Sequence, residues 1–384
     1  MDCIGRFLNA VTIKFISNNT GMKFIFFASL FLLNSFCLTA QTTENWYKVY
    51  SGKVGNLSAI LHLNKAGKNY GGYIWFDQNQ WPMSIYSAEQ VAKTDSINIS
   101  SGSGPVSLNL TGVFGNESFN GISLLQKEGN VSTKATFRLQ VSSEKMLIPF
   151  DYFFVHGSAK LLPEIKNASD CDYLSATIWP TGNTIIDEAL KKQIQQMLNI
   201  PPAVIDIVKW MAIEKNKFLN SWKKENSKLS PKEASEMGLS LSVQEENRVM
   251  IMYENERYIT LAHYSFSFTG GAHGNYGTTL STLNKQSAKK LQLSDVVNAA
   301  GIKVLPELLE QVARLQYGIK NNKPLDQNYF LVKKIIPTEN FYVTATGIGF
   351  LYAPYEIKSF ADGEVNLLVP FLALNTYLQT GFQH

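Results

Sequence analysis

The run Tyr264-Ser-Phe-Ser-Phe-Thr-Gly-Gly-Ala-His-Gly-Asn-Tyr276 gathers the residue types best suited to binding or chemistry in this chain. A stretch of alternating apolar and polar residues reads as a strand ending at Thr269, after which Gly270 and Gly271 open backbone conformations closed to other residues. His273 has small neighbours, which leaves its imidazole, the side chain most readily switched near neutral pH, unshielded. Two readings stand. In one, Gly270, Gly271, His273, Asn275 and Tyr276 form a binding loop; in the other, this is a tight strand connection in which His273 bonds a neighbouring carbonyl. A second run, Gly347-Ile-Gly-Phe-Leu-Tyr-Ala-Pro-Tyr-Glu-Ile357, supplies Tyr352 and Tyr355. These are amphipathic rings of the kind enriched at interfaces, and equally suited to cover a helix from a strand. Trp75, Asp77 and Trp81 offer either a sugar platform or ordinary core packing.

Other chemistries find less support. A mononuclear zinc site needs three or four converging ligands. His263 and His273 lie ten apart with no His-Glu-x-x-His pattern or cysteine cluster, and His62, His156 and His384 fall in other segments. No metal and no cofactor is expected. Gly102-Ser103-Gly104 lacks the strand-to-helix setting of a nucleophile elbow, and Cys171 has no nearby His to lower its pKa. Glu254, Glu256, Asp295 and Glu356 would serve as a glycosidase pair only if two of them converged, and nothing in their spacing marks a pair. Phosphate-binding glycine patterns are absent.

The elements that must position these residues change character along the chain. Residues 41–150 read as an antiparallel β-meander, a lipocalin-like barrel or a sandwich, from short alternating strands such as Leu57–Leu63, Tyr70–Phe76, Val106–Leu110 and Lys134–Leu139. Gly67-Lys-Asn69 and Gly112 to Asn120 read as hairpin loops. Residues 151–172 read as a linker, although Phe150–Val155 has the composition of one more strand. Residues 173–384 read as an α+β domain with helices packed on an antiparallel sheet. Its helices are predicted at Ile185–Leu198, at Ala203–Glu225 behind Pro201-Pro202, at Leu293–Val297 and at Ile302–Tyr317. Its strands are predicted at Arg248–Tyr253, Tyr258–Phe268, Tyr276–Leu283, Phe341–Thr346, Ile348–Tyr352 and Val365–Val369.

The 384 residues are 45% hydrophobic and 17% charged, which excludes a disordered or fibrous chain. Lys23, the apolar run Phe24–Leu33 and the small Ala40 make residues 22–40 a secretory signal peptide cleaved after Ala40, the apolar run being too short to span a bilayer. Residues 1–21 lack that logic and read as a start codon assigned too early. Removing Arg6, Lys14, Lys23 and Asp2 from 35 basic and 31 acidic residues leaves a net charge of about +2. With the positive residues scattered, nucleic acid is not an expected partner. Cys3 and Cys37 leave with the signal peptide, so no internal disulfide can form and the fold must rest on its apolar core. The protein is expected in the periplasm or outside the cell, and not as an integral membrane protein.

One ordered set of features resembles a known family: Trp179-Pro180 followed by two helices, the Thr-Gly-Gly-Ala-His-Gly loop, Leu291-Gln-Leu-Ser-Asp295, and the tail from Phe341-Tyr-Val-Thr to Pro370. Over residues 172–380 it is similar to the extracellular domain shared by RsiV-type lysozyme-sensing anti-sigma factors and PdaC-type peptidoglycan deacetylases, a DUF3298-like region. The resemblance implies a recognition module without catalytic residues. The internal membrane helix of the anti-sigma factors and the His-rich deacetylase motif are both missing from this chain, so neither of those activities carries over. The expectation is a non-catalytic cell-envelope binding protein whose partner is a protein such as lysozyme or a peptidoglycan-related glycan. The rival readings are an envelope glycan hydrolase using His273 as acid and base, or a deacetylase-associated module, and a carrier of a small apolar ligand inside the N-terminal meander.

Overall fold

The computed structural model describes residues 45–77, 81–87, 96–101, 106–127, 132–143, 147–165 and 168–383. The expected signal peptide, its expected cleavage site and Gly102-Ser103-Gly104 lie outside these residues. The alternating N-terminal segments form eight strands: β1 (Trp46–Val54), β2 (Leu57–Ala66), β3 (Asn69–Phe76), β4 (Met83–Ser87), β5 (Ile97–Ser101), β6 (Val106–Phe114), β7 (Ser118–Lys127) and β8 (Thr133–Val141). Each pairs antiparallel with the next, and β8 returns to β1 to close a barrel. The β6–β7 hairpin is longer than its glycines suggest, with Gly112 and Asn120 inside the paired strands.

An eight-stranded barrel is just wide enough for its inward side chains to fill it. Here Tyr50, Leu61, Leu63, Ile74, Ile99, Leu108, Phe119, Phe137 and Leu139 pack together as one apolar core. The Phe119 ring lies 4.2 Å from Phe114 and 4.8 Å from Phe137. Interior positions are thus occupied by the protein's own rings, which gives the carrier reading little to build on. Trp75 is buried 5.0 Å from the Tyr253 ring, so core packing accounts for it.

The next strand, β9 (Phe150–Lys160), belongs to a second sheet and pairs along its length with β10 (Asp170–Pro180). Much of the segment expected as a linker is therefore strand, and residues 43–384 make up one compact unit. After β10 the chain forms α1 (Ile185–Met197), α2 (Ile207–Asn226) and α3 (Pro231–Met237) before returning as β11 (Val243–Glu254), β12 (Tyr258–Phe268) and β13 (Asn275–Asn284). That helical crossover lets β11 lie parallel to β10, as parallel neighbours require. The other pairs of the sheet, ordered β13-β12-β11-β10-β9, are antiparallel. Pro201-Pro202 does not start α2; Asp206 does, its carboxylate accepting from the Lys209 N–H at 2.9 Å.

The chain continues through α4 (Leu293–Val296), where the Asp295 carboxylate accepts from the Gln292 N–H at 2.8 Å, and α5 (Ala299–Gln316). It closes with a small antiparallel sheet of β14 (Phe341–Val343), β15 (Gly347–Tyr352) and β16 (Val365–Pro370), followed by α6 (Phe371–Leu374). Leu305, Leu309 and Ala313 of α5 share a core with Val343, Ile348, Phe350, Leu367 and Val369 of that sheet. A separate cluster unites Tyr73 of the barrel, Met250, Met252, Ala262 and Leu280 of the large sheet, and Tyr342 and Leu351 of the small one. Three layers are thereby held by shared apolar contacts. Among the described residues no helix is long and apolar enough to cross a membrane.

Candidate functional site

Strands β12 and β13 form a hairpin whose last pair is Ser267 with Asn275, leaving residues 269–274 as the loop. Gly270 lies at φ +83°, and a side chain there would meet the Ser240 carbonyl oxygen at 2.5 Å, so both backbone and space demand glycine. Gly271, at φ +102°, completes the reversal in open space.

The exposed His273 imidazole that follows makes two contacts. Its Nδ1 is 3.0 Å from the Gly274 carbonyl oxygen, as the structural reading of the loop requires. Its ring also stacks on Phe360 at 4.1 Å between centroids. Phe360 is the hub of an aromatic cluster, with Tyr276 edge-on at 5.5 Å and Tyr355 tilted at 5.5 Å. Tyr355 remains 60% exposed, which leaves much of its ring free to meet a partner. Residues far apart in sequence thus form one surface around His273.

Side chains from the C-terminal segment lock this surface to β13. The Glu364 carboxylate accepts from the Thr278 N–H at 2.5 Å and from the Thr278 hydroxyl at 3.0 Å. Burial raises the Glu364 pKa, and the two bonds from Thr278 oppose the rise. Asn340 accepts from the Leu280 N–H at 2.7 Å and donates to the Thr278 carbonyl at 2.8 Å and the Leu351 carbonyl at 3.0 Å. Phe360 is carried on a one-turn helix, Phe360–Asp362, next to Glu364, so its position is fixed from the same strand that carries Tyr276.

Not every expected site residue joins this cluster. Tyr352 is a correction: it is 1% exposed in the core of the small sheet and donates its hydroxyl to the Ile336 carbonyl at 2.9 Å. All six residues of β15 are buried, so its ring has no route to solvent. Asn275 is exposed at the start of β13 but, being one residue from Tyr276, points to the opposite face of the sheet. Phe360, Glu364 and Asn340 had no motif to announce them, because their roles arise only when the tail folds back onto β13. Cys171 is buried, and burial with Asp172 and Asp170 pushes its thiol up to about 11, the setting of an inert thiol. Among the described residues, no group of three or more His, Cys, Asp or Glu side chains is arranged to hold a metal ion.

Comparison with protein families divides the C-terminal part of the molecule in two. The family model of Deacetylase PdaC matches residues 165–276, and that of DUF3298, a protein family of unknown function, matches residues 283–371. Residues 165–276 are thus similar to the PdaC family and residues 283–371 to the DUF3298 family. A solved DUF3298 family member from Bacteroides fragilis matches with a TM-score of 0.54 at 20% identity, over 60% of this chain and 94% of that one. This likeness extends to the fold. A DUF3298 family protein from Pseudomonas aeruginosa matches with a TM-score of 0.43 at 15% identity, over 60% of this chain and 95% of its own. No curated protein matches the chain. In these terms the aromatic surface is composite: His273 and Tyr276 come from the segment that matches the PdaC model, and Tyr355 and Phe360 from the segment that matches the DUF3298 model.

Proposed function

We propose that the protein is an exported cell-envelope module that binds a protein partner, without catalysis, through His273, Tyr276, Tyr355 and Phe360. The observation that carries this reading is the stacking of an exposed His273 on Phe360, with two tyrosines around the same ring. Tyrosines spend little conformational entropy on binding and recur at the energetic centres of interfaces. The glycine turn and the Glu364 and Asn340 bonds hold the surface in shape before a partner arrives, which lowers the entropic cost of association. The PdaC and DUF3298 domains support an envelope setting. A hydrolytic role for His273 has less support, since one face of its ring is covered by Phe360.

The resemblance to lysozyme-sensing domains makes a c-type lysozyme the first partner to test, with soluble peptidoglycan fragments as the alternative. In a calorimetric titration of the protein from residue 41 onward, we expect saturable lysozyme binding. His273→Ala and Tyr355→Ala should each weaken it about tenfold, or about 1.4 kcal/mol, with melting temperatures unchanged. Equal affinity in both variants would remove this surface from the account. Release of soluble fragments from peptidoglycan, lost in His273→Ala, would favour the hydrolase.

A further inference from the structure

The other face of the large sheet carries a second feature, made by different residues. On that face α2 covers β9 and β10, with Trp222 packed beside Cys171 and Val243. Strand register aligns two polar rows there: Tyr173, Glu245, Ser267 and Asn275, then Ser175, Asn247, Ser265 and Gly277. Between α2 and this floor lies a cleft of about 430 Å³, with Trp210 and Phe218 on one side and Tyr173, Ser175, Glu245 and Asn247 below. It adjoins a second hollow of about 430 Å³ over Ser265, Ser267 and Asn275, and the two share Glu245 and Asn247.

The floor is wired together. His263 Nε2 donates to Asn247 Oδ1 at 3.0 Å, and Asn247 Nδ2 donates to Glu245 Oε1 at 3.0 Å. Burial lowers the His263 pKa to about 4, so the imidazole that orients Asn247 is neutral near pH 7. Burial, and then the Glu214 charge, raise the Glu245 pKa, while its bond from Asn247 opposes them. The buried Tyr173 ring lies 5.4 Å from Phe218 and backs it from the floor.

We propose that this cleft binds an uncharged oligosaccharide, with the half-buried rings of Trp210 and Phe218 against the C–H face of a pyranose ring and Glu245, Asn247 and Asn275 bonding hydroxyls at its edge. Three features select this class. The floor is the face of a sheet whose backbone groups are already engaged in the ladder, so an extended peptide gains no strand pairing there. What remains are closely spaced hydroxyl, amide and carboxyl tips, matching a ligand with a donor and acceptor on nearly every ring carbon. Glu214 and Glu245 line the two hollows against one lysine, Lys217, whose ammonium is 3.4 Å from Glu214; anionic ligands are disfavoured.

The test is a titration of the purified protein with β-1,4-linked tetramers of N-acetylglucosamine and of glucose, followed by tryptophan fluorescence and calorimetry. We expect saturable binding of at least one tetramer with a Kd below about 1 mM. Trp210→Ala and Asn247→Ala should each weaken it tenfold or more, and His273→Ala should leave it unchanged. Ser267→Trp, at an exposed position on the floor, should block binding while circular dichroism stays native, so the test does not depend on variants that touch the core. Selectivity for one tetramer identifies whether an acetamido group is read. No saturation by either tetramer would overturn the proposal, as would binding unaltered by Trp210→Ala and Ser267→Trp, or saturation by a lysine-rich peptide alone. Because the hairpin variants act on a different surface, failure here leaves the lysozyme result standing, and the reverse also holds.

Discussion

His62 shows how much a single side chain can set the pH response. It is fully buried between barrel and sheet, its Nδ1 2.7 Å from the Tyr47 hydroxyl. Burial, and then the Lys285 charge, lower its pKa to about 3, while burial raises the pKa of neighbouring Tyr47 and keeps its phenol neutral. An imidazole in the unfolded chain titrates near 6.5, so below that pH the unfolded state binds the extra proton and stability falls until about pH 3. For His62 this loss reaches about 2 kcal/mol at pH 5. Buried Glu254, whose pKa is raised, acts in the opposite sense: the folded state binds its proton more readily, so its penalty grows as pH rises. Urea unfolding of wild type and His62→Gln at pH 8 and pH 5 separates the two, and the gap between the proteins should shift by about 2 kcal/mol in favour of the variant at pH 5. An unchanged gap would place the imidazole in a less buried setting. At this scale the sequence was readable where a residue's neighbours are local, as for the Gly270-Gly271 turn, and unreadable where they are not. Tyr352 and Tyr355 look equivalent in a list of aromatics. They separate only because β15 is buried on both faces while Tyr355 follows Pro354 into a turn.

Elements were legible in type more than in extent. The predicted span of β12 matches residue for residue, since its second half alternates from Tyr264 to Phe268 and Thr269-Gly270 ends it. For α2, the proline pair suggested a start four residues too early, because Asp206, the residue that caps the first turn, lies beyond an exposed Ile205 that hid the signal. The β9 segment was read as a linker because its partner, β10, gives no local sign of pairing. The α2 cap is open to test. Asp206→Ala removes the acceptor for the Lys209 N–H and should cost about 1 kcal/mol in chemical denaturation. Its effect should concentrate in the first turn, next to Trp210, and Asp206→Asn should recover most of the loss. Equal losses in both variants would assign the effect to charge rather than to capping.

The whole molecule depends on a buried junction that no motif marks. Glu254, at the end of β11, accepts from the Ile148 N–H at 2.9 Å and from Lys285 Nζ at 2.7 Å, with the carboxylate side chain completely shielded. Ile148 lies two residues before β9, so one carboxylate ties the exit from the barrel to the large sheet. Removing Lys285 would strand that charge, and Lys285→Met should cost about 3–5 kcal/mol. The double variant Glu254→Gln/Lys285→Met should recover a large part of this, as urea midpoints would show. With residues 43–384 forming one unit, tryptophan fluorescence and far-ultraviolet circular dichroism should report a single coincident transition; an early transition confined to one probe would mean that the barrel unfolds alone.

The side chains that hold the hairpin surface also change what β13 offers to other molecules. It is the terminal strand of its sheet, and a bare terminal strand is a template on which foreign chains can add and fibres can grow. Here the outward N–H groups of Thr278 and Leu280 are already taken by Glu364 and Asn340. A chain adding to this edge would have to displace a carboxylate and a carboxamide before forming its first bonds at those positions. The proposed recognition surface and the safeguard against polymerisation are therefore held by the same two residues, and damage to either residue would put both at risk together.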